Sequence, residues 1–243
     1  MRIAAVGDLH CTRASQGHLQ PIFADVAERA DVLLLCGDLT DLGLPEEARV
    51  LARELTGVSV PALAVLGNHD VEAGRQEEVV HLLEEVGVTV LDGEAREIKG
   101  VVFAGVKGFC GGFGRHTLEP WGEPALKSFV AAAMDETMKL EKALARVRNA
   151  PAVALLHYSP VVDTVAGEPP EIFPWLGSSR LEEPLDRYGV TLAFHGHAHR
   201  GSPEGRTRSG VPVYNVALPL LRRVITDGPP LRIVEVDLAP QPR

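Results

Sequence analysis

The sequence predicts an α/β fold, and three observations carry that prediction. Short apolar runs at residues 3–6, 32–36 and 62–66 have the length of buried strands and show no polar alternation. Segments with helical apolar spacing lie between them at 21–30 and 45–55, and a third follows at 77–86. Strand–helix alternation of this kind marks parallel βαβ units. Third, five apolar runs end on residues of the metal-binding types: GDLH at 7–10, GDLTD at 37–41, GNHD at 67–70, His157 after Leu155 and Leu156, and HGHAH at 195–199. In open α/β sheets ligands bind beyond the carboxyl ends of the strands, so all five would meet at one edge.

The elements follow in order. The first strand, 3–6, is stopped by Gly7 and Asp8. Residues 21–30 put Ile22, Val26 and Ala30 on one helical face, with Phe23 alongside. After the strand at 32–36, residues 45–55 read as a helix opened by Pro45, with Ala48, Leu51, Ala52 and Leu55 on one side. The strand at 62–66 precedes a helix at 77–86 that Gly87 closes. Residues 88–91, 97–98 and 101–106 read as strands joined by glycine-containing turns, a meander that continues the first sheet or opens a second. Residues 107–122 hold too much glycine for a regular element and carry Arg115, His116 and Trp121. In the long helix predicted at 124–147, a stripe runs through Val130, Ala133, Thr137, Leu140 and Leu144 and suits packing on a sheet; a dimer seam is the other use of such a stripe. A strand at 153–156 leads to a Pro- and Gly-rich loop at 163–179, which contains Phe173 and Trp175 and has the length of a functional lid. A short helix at 181–188 and strands at 191–194, 211–216 and 231–238 complete the chain.

A length of 243 residues suits one domain, 1–243, with a core large enough to need no disulfide staples. The formal net charge of −9 argues against a dedicated nucleic-acid binder, whose phosphate contacts need a basic surface. Arg200, Arg206, Arg208, Arg222 and Arg223 gather locally and read as a solvated rim. The three cysteines, Cys11, Cys36 and Cys110, form no C-x-x-C pair and fit a reducing compartment. There is no signal-peptide pattern, and no apolar stretch approaches the ~20 residues of a membrane span. The expected location is cytoplasmic, with no membrane partner.

The strand-end residues offer seven candidate metal ligands: Asp8, His10, Asp38, Asn68, His157, His195 and His197. Asp8 and His10 stand two apart, as do His195 and His197, which in an extended segment puts each pair on one face. Taken singly, each residue has an ordinary role, as a turn former or a satisfied core histidine. Their joint occurrence after apolar runs does not. Seven mixed oxygen and nitrogen ligands exceed one tetrahedral zinc and suit two ions with a bridging carboxylate. The lack of thiolate ligands argues against a structural zinc site or an iron–sulfur cluster.

These blocks resemble those of the calcineurin-like metallophosphoesterases: D-x-H at Asp8–His10, G-D-x-x-D at Gly37–Asp41, G-N-H-D at Gly67–Asp70, the single His157, and G-H-x-H at residues 196–199. The last block reads HGHAH, so its pair is His195 with His197 or His197 with His199. A strand ending at Phe194 brings His195 first to the edge, which favours His195 and His197 and leaves His199 a supporting or substrate contact. The resemblance implies a four-layer αββα sandwich of two mixed β-sheets flanked by helices. It implies one ion held by Asp8, His10, Asp38 and His197 and another held by Asp38, Asn68, His157 and His195, the ions being Mn, Fe or Zn. The expected reaction is hydrolysis of a small-molecule phosphate mono- or diester by a hydroxide between the metals. His69 would protonate the leaving group and Asp70 would orient its ring, with Asp41 orienting a ligand. Asn68, Arg115 and His116 are the expected substrate contacts. The alternatives are a nuclease of the same fold and a non-catalytic metal-binding scaffold.

Overall fold

The structure is a computed structural model that describes residues 1–147 and 150–237. The apolar runs become strands β1 (Arg2–Val6), β2 (Val32–Cys36) and β3 (Ala62–Val65), and the last two are buried at every position. Burial on both faces explains their lack of alternation. Helix α3 (Pro45–Leu55) starts at its proline, and α4 is Gln76–Glu84. Residues 21–30 do not form one helix. They split into α1 (Gln20–Phe23) and α2 (Val26–Arg29), because Asp25 leaves helical geometry at φ −106° and ψ 14°.

β4 (Val88–Val90) pairs in parallel with β3 and ends the first sheet, whose order is β11-β1-β2-β3-β4 with β11 (Arg232–Glu235) antiparallel to β1. Of the predicted last strand, Leu238 lies outside the described residues. The hairpin of β5 (Glu94–Ile98) and β6 (Val101–Gly105) opens the second sheet. That sheet adds β7 (Ala152–Leu155), β8 (Leu192–His195), β9 (Glu204–Arg206) and β10 (Pro212–Asn215) in the order β5-β6-β7-β8-β10-β9. Strands β6, β7, β8 and β10 are parallel, and the edges β5 and β9 are antiparallel.

The second sheet alternates between two cores. Phe103, Val153, Leu155 and Phe194 face the first sheet and join its core with Ile3, Leu33 and Leu63. Ala104, Ala154 and Ala193 face outward beneath Leu140 and Leu144 of α5 (Pro124–Leu144) and Leu185 of α7 (Glu182–Arg187). Methyl side chains on that face let the helices approach closely. The stripe on α5 therefore packs on a sheet, as its spacing implied. The result is a sandwich of two mixed sheets flanked by helices. Two pieces had no clear sequence signal: β9 is a three-residue polar edge strand, and α8 (Leu218–Val224) is a short apolar run that resembles a strand. Residues 163–179 hold α6 (Phe173–Leu176) and two single turns. Among the described residues no helix is long and apolar enough to cross a membrane.

Leu140 is fully buried on α5, whereas Met138 on the same helix is 45% exposed. Leu140→Ala should cost about 2–5 kcal/mol in urea unfolding, and Met138→Ala should stay within about 0.5 kcal/mol. Equal costs would contradict the packing of α5 on the second sheet.

Candidate metal centre

Parallel pairing sends the carboxyl ends of β1, β2, β3, β7 and β8 to one edge. The loops after β1 and β2 continue their ladder beyond the sheet: Asp8 N–H donates to Gly37 O (2.8 Å), His10 N–H to Asp38 O (3.0 Å) and Cys11 N–H to Leu39 O (3.0 Å). Keeping those bonds while turning side chains inward forces unusual backbone. Among the described residues five non-glycine positions have positive φ, and four are Asp8 (55°), His10 (43°), Asp38 (47°) and His197 (68°). Such conformations cost on the order of 1–3 kcal/mol each and persist only where the surroundings impose them. Two glycines give the carboxylates room. A Cβ on Gly67 would stand 2.0 Å from Asp38 Oδ1, and one on Gly196 would stand 2.2 Å from Asp8 Oδ2.

Three overlapping groups result: Asp8, His10 and His199; His10, Asp38 and His69; and Asp38, His157 and His197. Within each group the potential ligand atoms lie within 4.8 Å of one another. Asn68 joins the third group, with its carboxamide oxygen 2.9 Å from His157 Nε2. The donor set fits metal ions. His10 Nε2 is buried with no hydrogen-bond partner and lies 3.8 Å from Asp38 Oδ2, while Nδ1 of the same ring meets Asp41 Oδ1 at 3.2 Å. A buried, unpartnered nitrogen beside a carboxylate, in a ring oriented from its far side, suits metal ligation.

Three side-chain positions differ from the expected placements. His195 does not face these groups: it is fully buried, with Nδ1 donating to Gly196 O (2.7 Å) and Nε2 accepting from Thr164 Oγ1 (2.7 Å). His199 stands with Asp8 instead, its Nε2 2.9 Å from Asp8 Oδ1. The signal was present in the literal G-H-x-H of residues 196–199. It lost to the strand-end argument because β8 runs one residue further than expected and buries His195 as its last residue. Nor does Asp70 orient His69. Its carboxylate accepts from Leu39 N (3.1 Å), Thr40 N (2.8 Å), Thr40 Oγ1 (2.6 Å) and Gly67 N (2.8 Å), tying the loops after β2 and β3 together. His69 Nδ1 donates to Asp41 O at 2.6 Å. Third, Arg115 and His116 are exposed and bond each other (3.2 Å); among the described residues neither bonds to the cluster.

The segment expected as a lid does reach the centre. Trp175 O accepts from His197 Nε2 (3.1 Å), which leaves Nδ1 as that ring's ligand atom. Tyr158, which no motif singled out, packs its ring 4.5 Å from that of His197. Burial acts to raise the Asp38 carboxyl, yet the His157 charge and the His69 N–H hold it well below the usual carboxylate range. Burial acts to depress His157, and Asp38 outweighs it, lifting the ring to about 9. Burial pushes His195 down to about 4 and, with the His157 charge, His197 down to about 3. His199 is raised by its hydrogen bond to Asp8. A metal ion beside Asp38 would take the place of the His157 proton.

Two mixed sheets thus bring carboxylate, carboxamide and imidazole groups to one shared edge, as a metal-dependent hydrolase requires. The family model for calcineurin-like phosphoesterases matches residues 1–201, and the chain belongs to that family. It is 26% identical over 222 residues to a probable cyclic nucleotide phosphodiesterase of Synechococcus sp., covering 85% of this chain and 76% of the relative. Its fold is similar to that of phosphopantetheinyl hydrolase from Mycobacterium tuberculosis (TM-score 0.69, 18% identity, 99% of this chain and 97% of the other). It is also similar to TT1561 of Thermus thermophilus (TM-score 0.55, 16% identity, 88% of each chain).

Asp70→Ala should lower unfolding stability by about 3 kcal/mol or more, because four donors lose their acceptor in a buried site. If Asp70 only oriented His69, turnover would fall at unchanged stability.

Proposed function

We propose that this metal-dependent phosphoesterase hydrolyses small-molecule phosphate esters with two ions, Mn, Fe or Zn. Asp8, His10, Asp38 and His199 would hold one ion. Asp38, Asn68, His157 and His197 would hold the other, with Asp38 bridging. The observation that carries this reading is the set of triads that overlap through His10 and Asp38. When bound, two such ions supply an activated water near neutral pH and neutralise phosphoryl oxygens as charge builds.

The chain's own residues do the rest. The Asn68 carboxamide lies at the edge of the third group and can donate an N–H to a phosphoryl oxygen while its carbonyl oxygen serves as a ligand. His69 delivers the proton. Its Nδ1 is committed to Asp41 O, so a proton on Nε2 is the transferable one, and the side chain is 34% exposed, open to an incoming ester. The bond from phosphorus to the alcohol oxygen breaks, an oxygen from water takes its place, and the alkoxide leaves with the His69 proton. Asp41 orients both rings, His10 through its carboxylate and His69 through its carbonyl. The name of the Synechococcus relative puts phosphodiesters first among substrates to assay, with monoesters beside them.

With Mn²⁺ supplied, the protein should cleave an activated aryl phosphodiester or monoester, and Asp38→Asn should remove that activity. His69→Ala should lower kcat about 10²–10⁴-fold for esters with poor leaving groups and much less for activated ones. Full activity in Asp38→Asn would end the bridging role of Asp38, and equal kcat losses for both ester types would end the acid role of His69.

A further inference from the structure

A cavity of about 490 Å³ lies beside the metal centre. Leu66 and Val71, on either side of the turn that bears Asn68 and His69, form one wall, and Lys107 forms another. The Lys107 carbonyl accepts the N–H groups of His157 (3.0 Å) and Tyr158 (3.1 Å). The cavity therefore shares backbone with the ligand group of His157 and Asn68, not with the His10 and His199 side. Val80, Val90 and Leu91 extend the aliphatic part of a lining that is otherwise polar and holds no aromatic ring, which suits an alkyl chain with polar ends better than a stacked base.

The charges in this cavity are unevenly paired. Lys139 is satisfied by both oxygens of Asp92 (2.9 Å each) and by Glu136 Oε1 (2.8 Å). The other oxygen of Glu136 accepts Gly108 N–H (2.8 Å). Glu77 sits on the exposed rim, where water solvates it. Lys107 differs. Its ammonium donates to one carbonyl, Gly108 O (2.9 Å), and lies over the rings of Phe109 (5.1 Å) and Tyr158 (5.3 Å). Among the described residues no carboxylate comes within ion-pair distance of it. An ammonium has three donors; Glu136 and Asp92 act on this half-buried one through space but bond to Lys139 instead, so Lys107 keeps donors that an incoming anion could take up. The Tyr158 ring that Lys107 touches also packs on His197, so the cation stands next to the reacting centre.

We propose that this cavity receives the alcohol-derived part of the phosphate ester, an aliphatic chain carrying a second anionic group, and that Lys107 binds that anion. The inference rests on the phosphoesterase reading and adds the substrate class to it. Lys107 is a specificity residue here and takes no part in bond breaking.

The test compares three alkyl phosphate esters of matched length, whose chains end in methyl, carboxylate or phosphate, on the Mn²⁺-loaded enzyme. The wild type should show a lower KM for the two anionic esters, and the tighter of the two identifies the anion. Lys107→Met should raise KM for the anionic esters about tenfold or more, leave kcat within about twofold, and leave the methyl ester unmoved. Lys107→Arg should recover part of the loss. Equal KM values for all three esters in the wild type, or an equal shift for all three in Lys107→Met, would overturn the proposal. If the wild type cleaves none of them but cleaves the activated aryl ester, this substrate class is overturned and the phosphoesterase reading stands; if it cleaves neither, the phosphoesterase reading fails on its own. Calorimetric binding of the carboxylate ester then decides the role of Lys107: weaker binding to Lys107→Met than to the wild type supports it, and equal binding overturns it.

Discussion

The buried carboxylate of Asp38 is the constraint around which the rest of the structure is arranged. A charge 1% exposed has to be met on every side, and the elements that meet it come from both sheets. His69 N–H, from the loop after β3, donates to Oδ1 at 2.9 Å. His157, at the end of β7 in the other sheet, reaches the same oxygen at 3.3 Å. His10 approaches Oδ2 from the loop after β1. Each of these contacts imposes something further. The close approach of the β3 loop excludes any side chain at position 67, and the inward turn of the β1 and β2 loops requires positive φ at Asp8, His10 and Asp38. The strain is local and the hydrogen bonds that hold it are not, since Asp70 ties two loops across the first sheet.

Metal chemistry follows from the same arrangement. Imidazoles crowded round one carboxylate couple their protonation to it: Asp38 is held low while His157 is held high. Ions bound there would take over the role of that proton. The segment between β7 and β8 then acts on the centre from outside, through Trp175 O on His197 and through Thr164 on His195. His195 thus anchors this segment from within the core, and its two neighbours at 197 and 199 face the site.

Much of this was legible in the sequence, for physical reasons. Buried parallel strands are continuous apolar runs, so β1, β2 and β3 and their polar stops could be read directly. The loop residues Asp8, Asp38 and Asn68 stand out because each follows such a run within a residue or two. What could not be read was orientation. Whether β8 stops at Phe194 or His195 depends on one ladder position, the pairing of Asn215 with His195, and that single step decides which histidines face the edge. The role of Asp70 was hidden likewise, because its partners are mostly backbone N–H groups that carry no residue identity. Arg115 and His116 looked suited to phosphate by type alone, and glycine-rich loops give no indication of where they fold.

The most direct measurement is metal stoichiometry. Chelator-treated protein would be reloaded with Mn²⁺, desalted, and analysed for metal per chain, in the wild type, His199→Ala and His195→Gln. A centre bridged by Asp38 and completed by His199 predicts about two ions in the wild type and in His195→Gln, and about one in His199→Ala. Two ions in folded His199→Ala, with one lost from folded His195→Gln, would contradict it.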